Sequence, residues 1–246
     1  MATEPRTTPR QRARVALIAE IKQSALTQLE TTGAQNLSLR AITRELGMVS
    51  SAIYRYFASR DELITALIVD AYTDLAEVLE QAPRPDGSPR EQWRVVCAEL
   101  RAFARDQPHR FSLVYGTPIS DYQAPAETIA PAARVARALA SPARAANGSG
   151  GEGADLRELA EPLHGQARAM AEAVGEELES ATIARIAGAM SQLLGLLTLE
   201  LGGHFVGTFE PADALYEHTV EHLGDQLGLA EAETSLNASS GSSRLA

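Results

Sequence analysis

The chain has 246 residues, 45% of them hydrophobic, 22% charged and 5% aromatic, with a formal net charge of −10. That is an ordinary globular balance with room for one or two cores, and the single cysteine, Cys97, excludes an internal disulfide framework. The charge is unevenly placed: residues 1–60 carry nine Lys/Arg against four Asp/Glu, and the remaining thirteen Lys/Arg face twenty-eight Asp/Glu, the pattern of a basic, nucleic-acid-facing head on an acidic body.

Residues 1–9 hold Pro, Thr and Arg without apolar periodicity, and a disordered arm is expected there. This polar start does not read as a signal peptide. The apolar run at 193–201 is short and contains Glu200, so no membrane partner is expected and the protein is placed in the cytoplasm. Residues 10–32 read as a helix with Ile18, Ile21, Ala25 and Leu29 on one face, stopped by Gly33. Ser38 caps a short helix to about Leu46 with Leu39 and Ile42 inward, and Gly47 breaks it. A third short helix is expected over residues 50–57, with Ile53 and Phe57 inward.

Ser59 and Glu62 then form a capping box for a helix to about Gln81. Ser88 and Glu91 form another, with Pro89 at the first helical position, for a helix to about Asp106. Residues 109–115 read as short helix, 116–125 as loop and 125–140 as helix. Residues 142–153, rich in Ala, Gly and Ser, read as a flexible insertion. Helices are expected at 154–174, interrupted near Pro162 and Gly165, at 182–206 and at 211–229, before a disordered tail at 231–246. The fold class is all-α, with no strand pattern.

The informative stretch is residues 37–67, LSLRAITRELGMVSSAIYRYFASRDELITAL. Helix, glycine turn and short helix fit a helix-turn-helix, whose second helix enters the major groove. With Ile53 and Phe57 inward, Ser50, Ser51, Tyr54 and Arg55 face outward. Small serines allow close approach to base edges, and hydroxyls and tyrosine rings can meet phosphates or thymine methyls.

Gly47, Tyr54, Tyr56, Phe57 and Arg60 resemble the TetR-family DNA-binding signature, in which a turn glycine precedes a helix ending in Tyr-x-Tyr/His-Phe and a cationic residue opens the fourth helix. The resemblance implies that Ser38, Arg40, Tyr54, Tyr56 and Arg60 touch DNA. Val49 stands where the family often has a capping Ser or Thr, and Ser50 is expected to take over that cap. It further implies an N-terminal three-helix DNA-binding domain over residues 10–60 and a helical effector-binding and dimerisation domain over 61–230. A second stretch resembles the WHG-type C-terminal domain of TetR-like regulators: Pro108, His109, Arg110 and Phe111, then Tyr115, Gly116, Thr117, Pro118, Tyr122 and Pro125. Met190 and Leu194 replace that domain's Trp and His, and Gly195 remains.

The family pairs its last two helices into a four-helix bundle, which implies a homodimer. On residues alone, Ile183, Ile186, Met190, Leu193, Leu197 and Leu201 make one apolar face, and Gly188, Gly195 and Gly202 recur every seven residues. Helix-interior glycine costs about 1 kcal/mol relative to Ala, which points to close helix approach. Leu215, Thr219 and Leu223 extend the expected interface; tight packing inside one protomer is the alternative. Candidate effector-pocket residues are Trp93, Cys97, Leu100, Phe103, Phe111, Tyr115, Tyr122 and Met170, which suit an apolar or aromatic small molecule and serve equally as plain core.

His218 and His222 stand at i, i+4, but neither HExxH order nor a cysteine cluster accompanies them, so no metal and no cofactor is expected. Nor is there a nucleophile elbow, P-loop or dinucleotide-binding glycine pattern, and no enzyme is expected. The expected function is a repressor released from a palindromic operator by an effector. The alternative is a helical ligand-binding or interaction module without operator binding.

Overall fold

A computed structural model describes residues 8–83, 86–147, 159–175 and 178–231. Among them the helices are α1 (Pro9–Thr32), α2 (Leu39–Glu45), α3 (Arg60–Gln81), α4 (Pro89–Asp106), α5 (Pro108–Tyr115), α6 (Ile129–Asn147), α7 (Glu161–Val174), α8 (Ser180–Leu201) and α9 (Asp213–Gln226). Short 3₁₀ turns lie at Ala34–Asn36, Ile53–Arg55 and Ala126–Thr128. No strand occurs among the described residues, so the all-α expectation holds.

The first helix begins earlier than its sequence suggested. Thr8 and Gln11 form a reciprocal capping box, with Pro9 in the first turn, so Pro9 belongs to α1 and not to the arm. At the start of α3, Ser59 Oγ accepts from Glu62 N at 3.1 Å, but the Glu62 carboxylate accepts from Ala58 N rather than from Ser59 N. The expected box is therefore displaced by one residue on one arm. The Ser88–Glu91 box forms as expected.

The expected insertion at 142–153 is corrected. Helix α6 runs through Pro142 to Asn147; residues 148–153 lie outside the described residues. Proline cannot donate to the carbonyl four residues back. Here the Ser141 hydroxyl donates to Ala138 O at 2.8 Å and satisfies that acceptor, and alanine-rich flanks favour helix. In α7, Pro162 opens the helix rather than interrupting it, and Gly165 is accommodated inside it; residues 154–158 of the expected helix are outside the described set. Helix α8 ends at Leu201, not at Val206, because Gly202 and Gly203 turn the chain. The expected tail at 232–246 lies outside the described residues.

By compactness the chain divides into two units. The first comprises Met1–Val78, Leu100–Ala136 and Leu197–His204, and the second Leu79–Glu99, Arg137–Leu196 and Phe205–Ala246. The core of the first unit joins Ile21, Ala25 and Leu29 of α1, Leu39 and Ile42 of α2, Ile53, Phe57, and Leu63, Ile64, Leu67 and Ile68 of α3. Burying one such side chain stabilises by about 1.5–3 kcal/mol, so α3 is an integral wall of the head and not merely its exit. In the second unit, Trp93 Nε1 donates to Val220 O at 2.8 Å and Tyr216 Oη to Cys97 O at 2.6 Å, fixing α4 to α9. Arg90 and Arg94 clamp the same pair of helices through Glu221, with Asp225 and Glu231 as further partners.

Candidate nucleic-acid interface

Helix α2 is a short element held at both ends. Ser38 Oγ accepts from Ala41 N at 3.3 Å, and Ser38 N donates to the Gln28 side chain at 3.0 Å, which ties the cap to α1. At the other end Gly47 takes φ +64°, a backbone that a side chain would strain, and Met48 N reaches back to Thr43 O at 2.8 Å. Arg40 and Arg44 face solvent from this helix.

The expected recognition helix over residues 50–57 is a correction. Only Ile53–Arg55 forms a 3₁₀ turn, preceded by turn residues from Ser50. Ala52 is its N-cap and no side chain caps it, so neither Val49 nor Ser50 supplies the oxygen that a longer helix would use. Ile53, Tyr54 and Tyr56, β-branched or aromatic, add little helical propensity. What holds the turn is burial: Ile53 and Phe57 sit in the head's core, and Phe57 N still donates to Ile53 O at 3.0 Å.

This anchoring leaves a coherent outer face. Val49 is 69% and Tyr54 53% exposed, and Ser50, Ser51 and Arg55 are exposed beside them. Tyr56 is different. It is half-buried, with the Arg14 guanidinium 5.1 Å from its ring centroid, and Arg14 also reaches Arg55 O at 3.5 Å. Arg14 therefore braces the turn from the first helix, a role that sequence reading missed because nothing in α1's apolar spacing marks it. Arg10 and Arg12 are exposed on the same N-terminal stretch.

Arg60 is also committed within the protein. Its Nη2 donates to Ala34 O at 2.7 Å and Gln35 O at 3.2 Å, and its Nε to Leu37 O at 3.2 Å. It gathers the carbonyls of the 3₁₀ turn that leads into α2.

The effector-pocket candidates differ in burial. Trp93, Cys97, Leu100, Phe103 and Phe111 are buried core residues, and Met170 is exposed on α7. Trp93, Cys97 and Met170 lie in the second unit, the rest in the first. Tyr115 meets Tyr72 edge to face and Phe111 at a tilt, and burial raises its phenol pKa, with Tyr72 adding to the effect. Tyr122 Oη is 2.9 Å from Thr65 Oγ1.

Of the expected interface residues, Gly188 and Gly195 are exposed on α8, and a Cβ placed at either would meet nothing within 4 Å. Gly202 lies beyond the end of the helix, where a Cβ would meet the His204 ring at 3.0 Å, so the turn accounts for it. Leu215 and Thr219 are half-buried, whereas Leu223 is wholly buried and belongs to the protomer's core. Helix α8 is long and apolar enough to cross a membrane by length and composition, and a third of its most apolar window is buried. It carries Arg185 and Glu200, and Glu200 pairs with Arg101 at 2.7 Å. His218 and His222 are exposed on α9; no His/Cys/Asp/Glu group among the described residues has the makings of a metal site.

Comparison with known proteins agrees with this arrangement. Residues 21–67 match the bacterial regulatory proteins of the tetR family, and residues 93–223 the tetracyclin repressor-like C-terminal domain. The chain is 44% identical over 125 residues to the HTH-type transcriptional regulators Rv1816 of Mycobacterium tuberculosis and Mb1846 of Mycobacterium bovis, covering 49% of this chain. The matched stretch spans about half of those relatives, 53% of their length. Among solved structures, regulatory protein SCO4313 superposes with a TM-score of 0.74 at 34% identity, over 88% of this chain and 98% of that one. BioQ, crystallised with its double-stranded DNA operator, shares the fold at a TM-score of 0.53 and 18% identity, over 86% and 97% of the two chains.

Proposed function

Because this chain belongs to the TetR family of bacterial transcriptional regulators, we propose that it binds duplex DNA through the exposed turn at residues 49–55 and does so as a homodimer. The observation that carries this reading is the outer face of that turn: Val49, Ser50, Ser51, Tyr54 and Arg55 are all exposed while Ile53 and Phe57 anchor them from beneath. Ser50 and Ser51 lie against base edges, Val49 and Tyr54 supply apolar contact, and Arg40 and Arg55 meet phosphates. Ser38 orients α2 as its cap. Tyr56 and Arg60 act chiefly by holding the turn and its approach in place.

Two recognition turns would address successive major grooves about 34–36 Å apart on a palindromic operator. Pairing through α8 and α9 would supply that arrangement; what supports it is that Gly188 and Gly195 are exposed and a Cβ at either would meet nothing within 4 Å among the described residues. A small apolar or aromatic effector would shift the dimer toward a conformer with the wrong turn spacing. Coupling of ~1–3 kcal/mol changes operator affinity about 5- to 150-fold. Repression by promoter occlusion is the sign of regulation we favour.

The test is a gel shift on the region upstream of the protein's own gene. Sequence-selective retardation that weakens steeply with salt supports the reading. Retardation indistinguishable from that of random duplex favours the interaction-module alternative.

A further inference from the structure

One carboxamide ties the head's first 3₁₀ turn to the loop after α5. Gln35 lies in the 3₁₀ turn Ala34–Asn36, exposed. Its Nε2 donates to Pro118 O at 2.9 Å, and its Oε1 accepts from Ser120 N at 3.0 Å. One side chain thus uses a donor and an acceptor together on one stretch of backbone, and both contacts span more than eighty residues of sequence.

Each end of this contact is itself held. On the loop side, Tyr122 N donates to Ile119 O at 3.2 Å, the Tyr122 hydroxyl meets Thr65 Oγ1 of α3 at 2.9 Å, and Asp121 adopts φ +61°. On the head side, Arg60 at the start of α3 gathers the carbonyls of Ala34, Gln35 and Leu37. The result is a closed circuit from α3 through Arg60, the 3₁₀ turn, Gln35 and the loop, and back to α3 through Tyr122 and Thr65. Leu37 and Ser38 follow directly and open α2, so the circuit ends at the element that carries the recognition turn.

Leu113, Val114, Ile119 and Tyr122 pack against the head's core from α5 and this loop. A hollow of about 370 Å³ opens beside the contact, with Gly33, Ala34 and Gln35 on one wall and His109, Leu113 and Ile119 on the other. The polar contacts of Gln35 and Tyr122 add a defined geometry to that packing.

We propose that Gln35 is a positioning residue for DNA binding, whose carboxamide clasps the 116–125 loop and so sets the angle at which the head presents its recognition turn. The proposal rests on the DNA-binding reading above. Freed of the clasp, the head samples other orientations, and only the fraction in the productive one binds. No other side chain of similar length substitutes fully. Glutamate keeps the acceptor for Ser120 N but loses the donor for Pro118 O, and alanine loses both.

The experiment compares the parent chain with Gln35→Ala and Gln35→Glu. The probe is a duplex enriched by the parent from a randomised library. Binding is read by gel shift, and the loop by backbone hydrogen exchange over residues 116–122. Gln35→Ala is expected to bind the enriched duplex about 5- to 100-fold more weakly, from two lost hydrogen bonds, with faster exchange at Ser120 and a melting temperature lowered by several degrees while the helical content is kept. Gln35→Glu is expected to fall between, with Ser120 still protected. Exchange at Ser120 that does not change in Gln35→Ala overturns the clasp. Affinity within twofold of the parent, or tighter, overturns the positioning role. A parent chain that enriches no duplex overturns the DNA-binding reading and this proposal with it, a result distinct from a parent that binds and a variant that binds equally well.

Discussion

Arg60 and Arg55 are cations of the head with different surroundings, one bonded to backbone carbonyls and one exposed. Arg55 is exposed, and each phosphate it neutralises would contribute about 0.9 to the salt dependence of binding. Arg60 instead holds three backbone carbonyls. Arg55→Ala should therefore flatten the slope of log affinity against log salt by about 0.9. Arg60→Ala should leave the slope unchanged and lower stability by about 1 kcal/mol, the loss of hydrogen bonds to carbonyls that are partly open to water. A flattened slope in Arg60→Ala, measured beside its melting curve, would return Arg60 to the phosphate contacts. Ser51→Asp places a carboxylate on the exposed face and should abolish binding without changing the melting temperature; normal binding would mean the contact face lies elsewhere. The outward positions of Ser50, Ser51, Tyr54 and Arg55 were legible because Ile53 and Phe57 had to point inward. The braces were not: Arg14 over Tyr56 and Arg60 under Ala34 join residues far apart in sequence, and periodicity carries no information about such pairs.

At the scale of elements, boundaries followed local chemistry wherever the local signal acted alone. Ser38, Ser88 and Gly47 sit where their capping and turn chemistry demands. The stretch opening at Pro142 misled because its Ala, Gly and Ser read as a linker, whereas its alanines extend α6 and Ser141 satisfies the acceptor that Pro142 leaves. Ser141→Ala should accordingly destabilise the protein by about 1 kcal/mol in chemical denaturation; no change would mean that the Ala138 carbonyl finds another donor. The recognition element came out shorter than its pattern because Val49 cannot cap it. The α4–α9 clamp adds a pH dependence. Hydrogen bonds from Arg94 first and Arg90 second hold the Glu221 carboxyl down to about 2, against an ordinary 4.5. A carboxyl so lowered stabilises the fold fully above its unfolded pKa and loses that contribution as pH falls through the folded value. Stability should decline between about pH 4.5 and pH 2, and Glu221→Gln should flatten that part of the profile. An identical acid limb in the variant would assign it to other groups.

For the whole molecule, two features carry the account: the division of charge along the chain, and the open face of α8. The first was plain in the sequence, as the +5 of residues 1–60 against the −15 of the remainder. The second was only partly so. A seven-residue glycine spacing suggested three close approaches, but Gly202 lies in the turn after α8 and Leu223 is buried in the core, leaving Gly188 and Gly195 on the open face. A Cβ at Gly195 meets nothing within 4 Å among the described residues, so Gly195→Leu should leave helicity intact and convert the dimer to a monomer in light scattering. A dimer of unchanged mass would remove this face from the interface. The central claim, that a basic head on each of two protomers grips duplex DNA, is tested most directly by titrating binding to an enriched duplex across salt concentrations with the stoichiometry read in parallel. The account predicts an even number of protomers per duplex and an affinity falling with a log–log slope of about −4 to −8, the mark of several phosphate contacts. One protomer per duplex, or an affinity indifferent to salt, would contradict it.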